Sequence, residues 1–379
     1  MEKRISILGS TGSIGKQTLN VAKHLGEKIK VVGLAAKSNV DLIEAQAIEV
    51  GAEIVCLFDE KAAKELKRRR PMWNVVSGIE GLCEVACYHS IDTVIVGVVG
   101  SMAILPVMEA IKAKKRVGLA NKEVLVSAGE LITSLAKKND VFLFPIDSEH
   151  SAIFQCLLGE DKNEVSRVIL TASGGPFLHY TDEELKNVTV ACASNHPTWT
   201  MGSKVSIDCS TLMNKGFEVI EAKWLFDFPV EKIDVVIHPQ SLVHSFVEFI
   251  DGSMKAQVNL PSMELPIQYA LTYPERVKRE VSPFDFSKCC KFEFYLPDKK
   301  KFRCLELAYE SLRIGGSLPC VLNAANEVLV ERFCRGELSW LGIAEKLETL
   351  LGRHNVLHVT SVDTLLEVDR EARLEAQRL

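Results

Sequence analysis

The sequence predicts an α/β protein with a doubly wound parallel sheet at its N-terminal end, an α+β region in the middle and helices at its C-terminal end. Short apolar runs alternate with helix-period segments over residues 1–147, and strand and helix patterns are mixed over 148–272. The period is helical over 301–379, whereas residues 273–300 hold three prolines and a cluster of charge. We therefore expect three domains, with 273–300 as the linker before the last.

The first region contains seven strand candidates, which are Arg4–Leu8, Ile29–Leu34, Ile54–Leu57, Asn74–Ser77, Thr93–Val98, Arg116–Ala120 and Val141–Ile146. Amphipathic segments lie between them, for example Val40–Val50, Lys61–Arg69 and Ile104–Lys114. Strand, helix and strand at this spacing predict right-handed crossovers between parallel strands. Ligands of such sheets bind beyond the carboxyl ends of the strands, so functional residues are expected there.

The rest of the chain has a different pattern. Its predicted strands are Val165–Leu170, Val235–His238, Leu242–Phe249 and Lys255–Asn259. Helices are predicted over Ser210–Leu225 and Pro261–Leu271. Apolar residues at helical spacing predict further helices after residue 300, and the pair Gly315-Gly316 predicts the end of the first of them.

Composition excludes several classes of protein. The 379 residues include 45 basic and 50 acidic side chains, and a net charge of −5 is not that of a general nucleic-acid or membrane-surface binder. Eleven cysteines without a CxxC pair predict neither a disulfide framework nor a structural zinc site. The uncharged stretch Thr93–Met108 is too short to span a membrane, and a strand beginning at residue 4 leaves no room for a signal peptide. We expect a cytoplasmic protein.

A glycine-rich segment, Gly9 to Gly15, follows the first strand and opens a helix. Glycines allow the backbone to approach a phosphate, and free amides at a helix N-terminus bind its charge. The spacing is GxxGxxG, so a merely tight strand-to-helix turn is the alternative. After the second strand, Lys37, Ser38 and Asn39 stand where NAD-binding proteins place an acid, which favours the 2′-phosphate of NADP. The alternative there is a solvated loop lysine.

Carboxylates with metal-ligand character occur in two places. Asp147 and Glu149 follow an apolar strand, and side chains two apart on an extended chain project to one side. Such a pair suits Mg²⁺ or Mn²⁺, although a helix N-terminus also favours acids. Glu218 lies one turn from Asn214 and beside Lys215, and can supply a third carboxylate. A solvated lysine–glutamate pair is the alternative.

Three further segments carry polar or aromatic groups that can act on a substrate. Lys122 follows a strand, where it can bond a substrate oxygen or can be an ordinary charge at a helix start. Ser173 precedes two glycines, which can form an anion-binding nest or a plain turn. The loop at 196–202 contains Trp199, which predicts a lid that excludes water or a tryptophan packed on the core.

Taken in order, these segments resemble the 1-deoxy-D-xylulose 5-phosphate reductoisomerase family over essentially the whole chain. The resemblance is carried by LGSTGSIG at 8–15, LANKE at 119–123, PIDSEH at 145–150, TASGGPF at 171–177, HPTWTMG at 196–202, MNKGFEVIEAKWLF at 213–226, HPQSLVHS at 238–245 and LNAANE at 322–327. It implies a Rossmann-type NADPH-binding domain (1–147), a catalytic, metal-binding and dimerisation domain (148–272) and a homodimer. It also implies rearrangement and NADPH-dependent reduction of a sugar phosphate, 1-deoxy-D-xylulose 5-phosphate, to 2-C-methyl-D-erythritol 4-phosphate, in non-mevalonate isoprenoid precursor biosynthesis.

The resemblance also implies roles for individual residues. The ligands of Mn²⁺ or Mg²⁺ would be Asp147, Glu149 and Glu218. The reacting end of the substrate would be held by Lys122, Ser148, Glu149 and Glu218, with Lys122 and Glu149 as candidates for proton transfer. The phosphate end would be bound by Ser173, His196, Cys209, Asn214 and Lys215. NADPH would be contacted by Thr11, Gly12, Ser13, Ile14, Lys37, Ser38, Asn39, Asn121, Glu123 and Gly202. Trp199 and Met201 would lie on the lid, and His244 and Met263 would line the site.

The chain departs from the family pattern at two positions. Cys209, followed by Ser210, stands where the family usually has a phosphate-binding serine, and Glu264 stands where it commonly has arginine. Two other functions remain as alternatives. A semialdehyde dehydrogenase would need an activated cysteine, and a non-catalytic dinucleotide sensor would have no use for a metal site.

Overall fold

The computed structural model describes residues 2–199, 202–278, 284–287 and 291–379. Within these residues the chain divides into two compact units. The first unit comprises 2–124, 132–151 and 262–278, and the second comprises 125–131, 152–199, 202–261, 284–287 and 291–379. Residues 301–379 therefore belong to the same unit as 152–261. The division of the chain at 147, 272 and 300 into functional domains stays a prediction.

The described strands, in chain order, are β1 (Lys3–Leu8), β2 (Ile29–Ala36), β3 (Ile54–Leu57), β4 (Val75–Ser77), β5 (Thr93–Val96), β6 (Arg116–Leu119), β7 (Leu143–Pro145), β8 (Val165–Ala172), β9 (Ile233–Ile237), β10 (Val243–Phe249) and β11 (Met254–Val258). The described helices are α1 (Ser13–Leu25), α2 (Val40–Val50), α3 (Glu60–Arg69), α4 (Gly78–Ala86), α5 (Ile104–Lys112), α6 (Lys122–Asn139), α7 (Ser148–Leu157), α8 (Asp182–Leu185), α9 (Val190–Ser194), α10 (Ser203–Ser210), α11 (Met213–Phe226), α12 (Glu264–Thr272), α13 (Arg303–Ile314), α14 (Leu318–Cys334), α15 (Trp340–Arg353) and α16 (Val362–Arg378). None of them is both long and apolar enough to cross a membrane.

The first unit is built on a seven-stranded parallel sheet of order β4-β3-β2-β1-β5-β6-β7. This confirms the predicted doubly wound sheet. Its strands are rich in apolar residues, as is typical of parallel sheets, and Ile5, Ile7 and Leu8 of β1 are fully buried. The strand order reverses between β1 and β5, where Leu8 pairs with Val96. The loops after these two strands thus lie side by side at the point where such sheets bind ligands.

The second unit contains a four-stranded sheet of order β11-β10-β8-β9 and the helices of the C-terminal part. β8 runs parallel to β9 and antiparallel to β10, and β11 is the edge strand beside β10. An apolar cluster joins the sheet to the helices, and it includes Phe177, Phe217, Leu305 and Leu322. The α+β middle region and the C-terminal helices predicted from sequence therefore share one core.

The structure corrects two predicted helices. The helix expected over Ser210–Leu225 is α11, which begins at Met213 instead, because the left-handed backbone of Leu212 (φ 58°) separates it from α10. Leu212 and Met213 are both buried, so the apolar pattern does not mark where the helix begins. The helix expected from Pro261 begins at Glu264, as α12. It belongs to the first unit, whereas the strands that precede it in the chain belong to the second.

Candidate active site

The glycine-rich turn after β1 can only be built from glycines at two positions. Gly9 has φ +91°, and a Cβ there would lie 2.7 Å from the carbonyl oxygen of Gly97. A Cβ on Gly15 would overlap the backbone of Gly9 and Ser10. Gly12 caps α1 without a side-chain hydrogen bond, so the first amides of the helix are not capped by a side chain. This cradle fits a phosphate group of a dinucleotide.

The segment after β2 exposes Lys37, Ser38 and Asn39, as the NADP prediction requires. Asn39 has a further function, since its side chain accepts the N–H of Leu42 at 3.1 Å and caps α2. The ammonium group of Lys37 and the hydroxyl of Ser38 are therefore the groups of this segment best suited to a 2′-phosphate.

Asn121 connects the ends of two neighbouring strands. Its amide nitrogen donates to the carbonyl oxygens of Val98 (2.8 Å) and Gly100 (3.1 Å), and its side-chain oxygen accepts the N–H of Val124 at 2.8 Å. Both amide hydrogens are used, so the side chain holds the loop after β5 and caps α6. Of the other residues predicted to contact NADPH, Glu123 is buried on α6, and Gly202 is exposed before α10, in the second unit.

A cluster of charged residues lies at the carboxyl ends of β6 and β7. Lys122 forms an ion pair with one oxygen of Asp147. The other oxygen of Asp147 accepts the N–H of Glu149 at 3.1 Å and lies 3.2 Å from Nδ1 of His150. The Ser148 hydroxyl donates to Glu149 at 2.5 Å. Lys122, Ser148 and the two carboxylates are thus brought together within the first unit, as predicted.

The prediction that Asp147 and Glu149 converge along an extended chain is wrong, however. Glu149 is not on an extended chain, because α7 begins at Ser148. The helix turn itself brings the carboxylate oxygens within 4.8 Å of each other. The sequence also gave no reason to single out His150, which is fully buried against Asp147. Its spacing of three residues from Asp147 does not by itself distinguish it from a histidine that fills the core.

On α11, Asn214 and Lys215 both bond to Glu218. Asn214 donates to one oxygen of Glu218 at 2.6 Å, and Lys215 forms an ion pair with the other. Lys215 is 5% exposed and Glu218 is 2% exposed, so the solvated surface pair considered as an alternative is excluded. A buried ion pair contributes little to stability compared with apolar residues of the same volume, which points to a functional reason for it.

Ser173 lies at the end of β8, before Gly174 and Gly175, which both have left-handed backbones (φ +84° and +65°). Its hydroxyl is 2.8 Å from Nε2 of His196, whose Nδ1 accepts the N–H groups of Thr198 and Trp199 at 3.2 and 3.0 Å. The imidazole proton therefore lies on Nε2 and is donated to the serine oxygen. The hydroxyl hydrogen of Ser173 is left to donate to an anion.

Burial lowers the pKa of His196 from 6.5 to about 4, so the imidazole is neutral near pH 7. The unfolded chain takes up a proton near pH 6.5 and the folded chain does not, so stability must fall as the pH falls from 6.5 towards 4. We expect His196→Gln, which cannot titrate, to lose less stability than the wild type over this window. Urea denaturation at the two ends of the window measures this, and equal losses in both proteins would show that His196 does not contribute.

The structure distinguishes Cys209 from Ser210. The Ser210 hydroxyl is fully buried, donates to the carbonyl oxygen of Ile207 at 2.7 Å and accepts the indole N–H of Trp340 at 2.9 Å. It is therefore a core hydroxyl and does not replace the missing serine. Cys209 is partly exposed. Its backbone lies close to Gly175, since a Cβ added to that glycine would be 2.7 Å from the carbonyl oxygen of Cys209. Cys209 is thus next to the glycine pair.

The predicted lid is described in part. Trp199 is half-buried, and its ring meets that of His244 edge-on, with centroids 6.4 Å apart. Met201 lies outside the described residues. Met263 caps α12 in the first unit, and Glu264 is the first residue of that helix, where its N–H donates to Ser262 at 3.3 Å.

Comparison with known proteins agrees with this arrangement. The family model for 1-deoxy-D-xylulose 5-phosphate reductoisomerase matches residues 5–129, the model for its C-terminal domain matches 143–226, and a DXP reductoisomerase C-terminal domain matches 258–375. The enzyme of that name from Protochlamydia amoebophila is 58% identical over 376 residues, which cover 99% of this chain and 98% of the relative. That from Ruminiclostridium cellulolyticum is 49% identical over 381 residues, with 100% of both chains covered.

Two solved structures are also similar. The reductoisomerase from Zymomonas mobilis in complex with NADPH superposes with a TM-score of 0.94, at 36% identity, over 100% of this chain and 99% of that chain. DOX-P reductoisomerase in complex with NADPH, fosmidomycin and magnesium gives 0.92, at 37% identity, over 99% and 98%. These matches extend from one end of the chain to the other, through every segment described above, and the chain belongs to the 1-deoxy-D-xylulose 5-phosphate reductoisomerase family.

Proposed function

We propose that the chain converts 1-deoxy-D-xylulose 5-phosphate to 2-C-methyl-D-erythritol 4-phosphate, with NADPH as the reductant and a divalent cation, in non-mevalonate isoprenoid precursor biosynthesis. The observation that carries the proposal is the match over 99% of the chain, at 58% identity, to a relative with this enzyme's name. The solved structure with NADPH, fosmidomycin and magnesium supports the cofactor and the metal.

The NADPH proposal uses the turn from Thr11 to Ile14 for a phosphate of the dinucleotide, because only glycine fits at Gly9 and Gly15. The exposed Lys37 and Ser38 would bind the 2′-phosphate, while Asn39 and Asn121 would keep α2 and the loop after β5 in place. Glu123 and Gly202 stay predicted contacts.

For the cation we propose Asp147, Glu149 and Glu218 as ligands, since carboxylates are the donors that Mg²⁺ and Mn²⁺ prefer. When bound, the ion would polarise the carbonyl and hydroxyl oxygens of the substrate as a Lewis acid. Lys122, held by Asp147, would donate a hydrogen bond from Nζ to a substrate oxygen. Glu149, whose oxygen accepts from Ser148, is the other candidate for moving a proton.

The phosphate end of the substrate would be bound by the Ser173 hydroxyl, oriented by His196, and by Asn214, Lys215 and Cys209. Lys215 supplies a buried positive charge. Trp199 and Met201 would close over the bound substrate and exclude water.

Both alternatives are less well supported. Burial raises the pKa of the thiols of Cys56, Cys304 and Cys320 to about 12, which makes them poor nucleophiles for a semialdehyde dehydrogenase. A dinucleotide sensor would not require the buried charges on α11.

The proposed function is tested by following NADPH absorbance with 1-deoxy-D-xylulose 5-phosphate, with Mg²⁺, with Mn²⁺ and after chelation, and by identifying the product. We expect oxidation of NADPH that needs both the substrate and the metal, and comparison of the two ions identifies the preferred one. Metal-independent oxidation, or a product without the branched skeleton, would overturn the proposal.

Cofactor preference can be tested at Lys37. We expect the wild type to prefer NADPH to NADH, and Lys37→Glu to narrow the preference because a carboxylate repels the 2′-phosphate and can accept the ribose hydroxyl. The ratio of kcat/KM for the two cofactors measures this. Lys61→Glu, an exposed change in α3, is the control. Equal efficiency with both cofactors in the wild type would rule out the preference.

The departure at Cys209 gives a second test. A thiol is a weak hydrogen-bond donor, and Ser210 cannot compensate because its hydroxyl is already bonded inside the core. We expect Cys209→Ser to lower the KM for substrate modestly and leave kcat nearly unchanged, because the phosphate is far from the bonds that break. Alkylation of Cys209 should inhibit, and substrate should protect. An unchanged KM together with no inhibition would show that Cys209 only packs.

We further propose a cytoplasmic homodimer that does not bind nucleic acid or membranes. Support for the dimer comes from β11, an edge strand on which Met254 is 53% and Val258 43% exposed. Sedimentation of the wild type and of Val258→Glu tests whether two copies associate through this strand.

A further inference from the structure

One residue of β10 departs from strand geometry. Ser245 has a left-handed backbone (φ 62°) and is 1% exposed. Residues with a Cβ rarely adopt this conformation, and they keep it only where their surroundings enforce it. The pairing of β10 with β11 shifts between His244 and Phe246. Ser245 is thus the extra residue of a β-bulge.

The bulge changes the direction in which the preceding residue projects. Phe246 pairs with Ala256, and His244 pairs with Gln257, with Ser245 unpaired between them. In an unbroken strand Ser245 would take the place opposite Gln257, and His244 would move one place further along. A shift of one residue moves a side chain to the other face of the sheet. The bulge therefore determines which face His244 occupies.

Thr171 on the neighbouring strand β8 holds the bulge in place. Its hydroxyl donates to the carbonyl oxygen of Val243 at 2.8 Å and accepts the N–H of Ser245 at 3.1 Å. Thr171 is 3% exposed, so little water competes for these bonds. The Ser245 hydroxyl has no hydrogen-bond partner in the described part of the chain. The bulge accordingly depends on the backbone of Ser245 rather than on its hydroxyl.

On the face that the bulge determines, the ring of His244 lies against the ring of Trp199. The two rings are edge-on at 72°, and Nε2 of His244 is 3.2 Å from the carbonyl oxygen of Asn259. We propose that Ser245 and Thr171 are positioning residues, which hold His244 on the face where the lid tryptophan packs against it. This inference rests on the proposed function, because a lid matters only if substrate is enclosed beneath it.

Substitutions at Ser245 separate the backbone from the side chain. Ser245→Gly and Ser245→Asn allow the left-handed conformation, whereas Ser245→Val strongly disfavours it. We expect the first two to keep kcat/KM near the wild-type value, and Ser245→Val to lower it by about tenfold or more with the dissociation constant of NADPH unchanged. The change in Trp199 fluorescence when fosmidomycin binds, assigned with Trp199→Phe, should persist in the first two variants and be lost in the third.

A second pair covers the case in which Ser245→Val does not fold. Thr171→Ser keeps the hydroxyl and should keep both readouts, whereas Thr171→Val removes it and should reduce both. Asp227→Val is the matched control, since Asp227 is exposed and left-handed (φ 55°) at the end of α11. It should lower the melting temperature without changing kcat/KM or the fluorescence response.

The outcomes test the proposed function and the positioning role separately. A wild type that does not turn over 1-deoxy-D-xylulose 5-phosphate overturns the proposed function and this inference with it. An active wild type in which Ser245→Val and Thr171→Val match Ser245→Gly and Thr171→Ser overturns the positioning role alone. The positioning role is supported if Ser245→Val and Thr171→Val alone lose both turnover and the Trp199 fluorescence response.

Discussion

Asp147→Asn and Glu218→Gln are expected to lower kcat by about 10²–10³-fold or more, and to leave the dissociation constant of NADPH nearly unchanged. Each change removes a negative charge from the proposed cation ligands while keeping the shape of the side chain. The cofactor is proposed to bind mainly at the glycine-rich turn, which depends on Gly9 and Gly15 rather than on these carboxylates.

Steady-state turnover over a range of Mg²⁺ concentrations, together with fluorescence titration of NADPH, measures both quantities. Asp140→Asn is the matched control, because Asp140 is exposed and left-handed (φ 55°), a conformation that asparagine tolerates. It should behave as the wild type. A fall in NADPH affinity as large as the fall in rate would contradict the separation of metal and cofactor functions.

Lys215→Met should lower the free energy of unfolding by about 3–5 kcal/mol, because it removes the cation that faces Glu218 where both side chains are buried. The double variant Lys215→Met, Glu218→Gln should recover part of that loss, since the side chain at position 218 then carries no charge to be compensated. Neither protein should be active, because both groups are proposed to act on the substrate or the metal.

Urea denaturation in the absence of added metal measures these stabilities. Lys186→Met is the control, since Lys186 and Glu183 form a pair with the same i,i+3 spacing that is 57% and 81% exposed. Its loss should be below about 1 kcal/mol. The prediction would be wrong if Lys215→Met were no more destabilising than Lys186→Met. It would also be wrong if the double variant were no more stable than Lys215→Met, because Lys215 would then not compensate the buried charge of Glu218.

Much of the fold could be predicted because local patterns determine it. Apolar runs of four to six residues marked all seven strands of the first sheet, to within two residues at each end, and α2 begins and ends where predicted. The glycine-rich turn was equally predictable, because close approach and a left-handed backbone leave glycine as the residue that fits at Gly9.

The residues of the candidate site were singled out from the sequence, and their functions stay predictions, but the sequence did not indicate how they bond to one another. The sequence placed Asn214, Lys215 and Glu218 on one helix turn, yet a solvated pair and a buried one have the same i,i+3 spacing. Burial decided between them, and it depends on the core of the second unit. His150 was missed because nothing local distinguishes a histidine that contacts Asp147 from one that fills the core.

The sequence by itself thus determined the order and type of the strands, the glycine cradle and the family, because each depends on neighbouring residues or on the ordered motifs. Only the tertiary structure decided that Ser210 is bonded to Trp340 and that Ser245 forms a bulge. The physical reason is that these features depend on partners distant in the chain: Trp340 is 130 residues from Ser210, and Thr171 is 74 from Ser245. A periodicity of two or 3.6 residues contains no information about such partners.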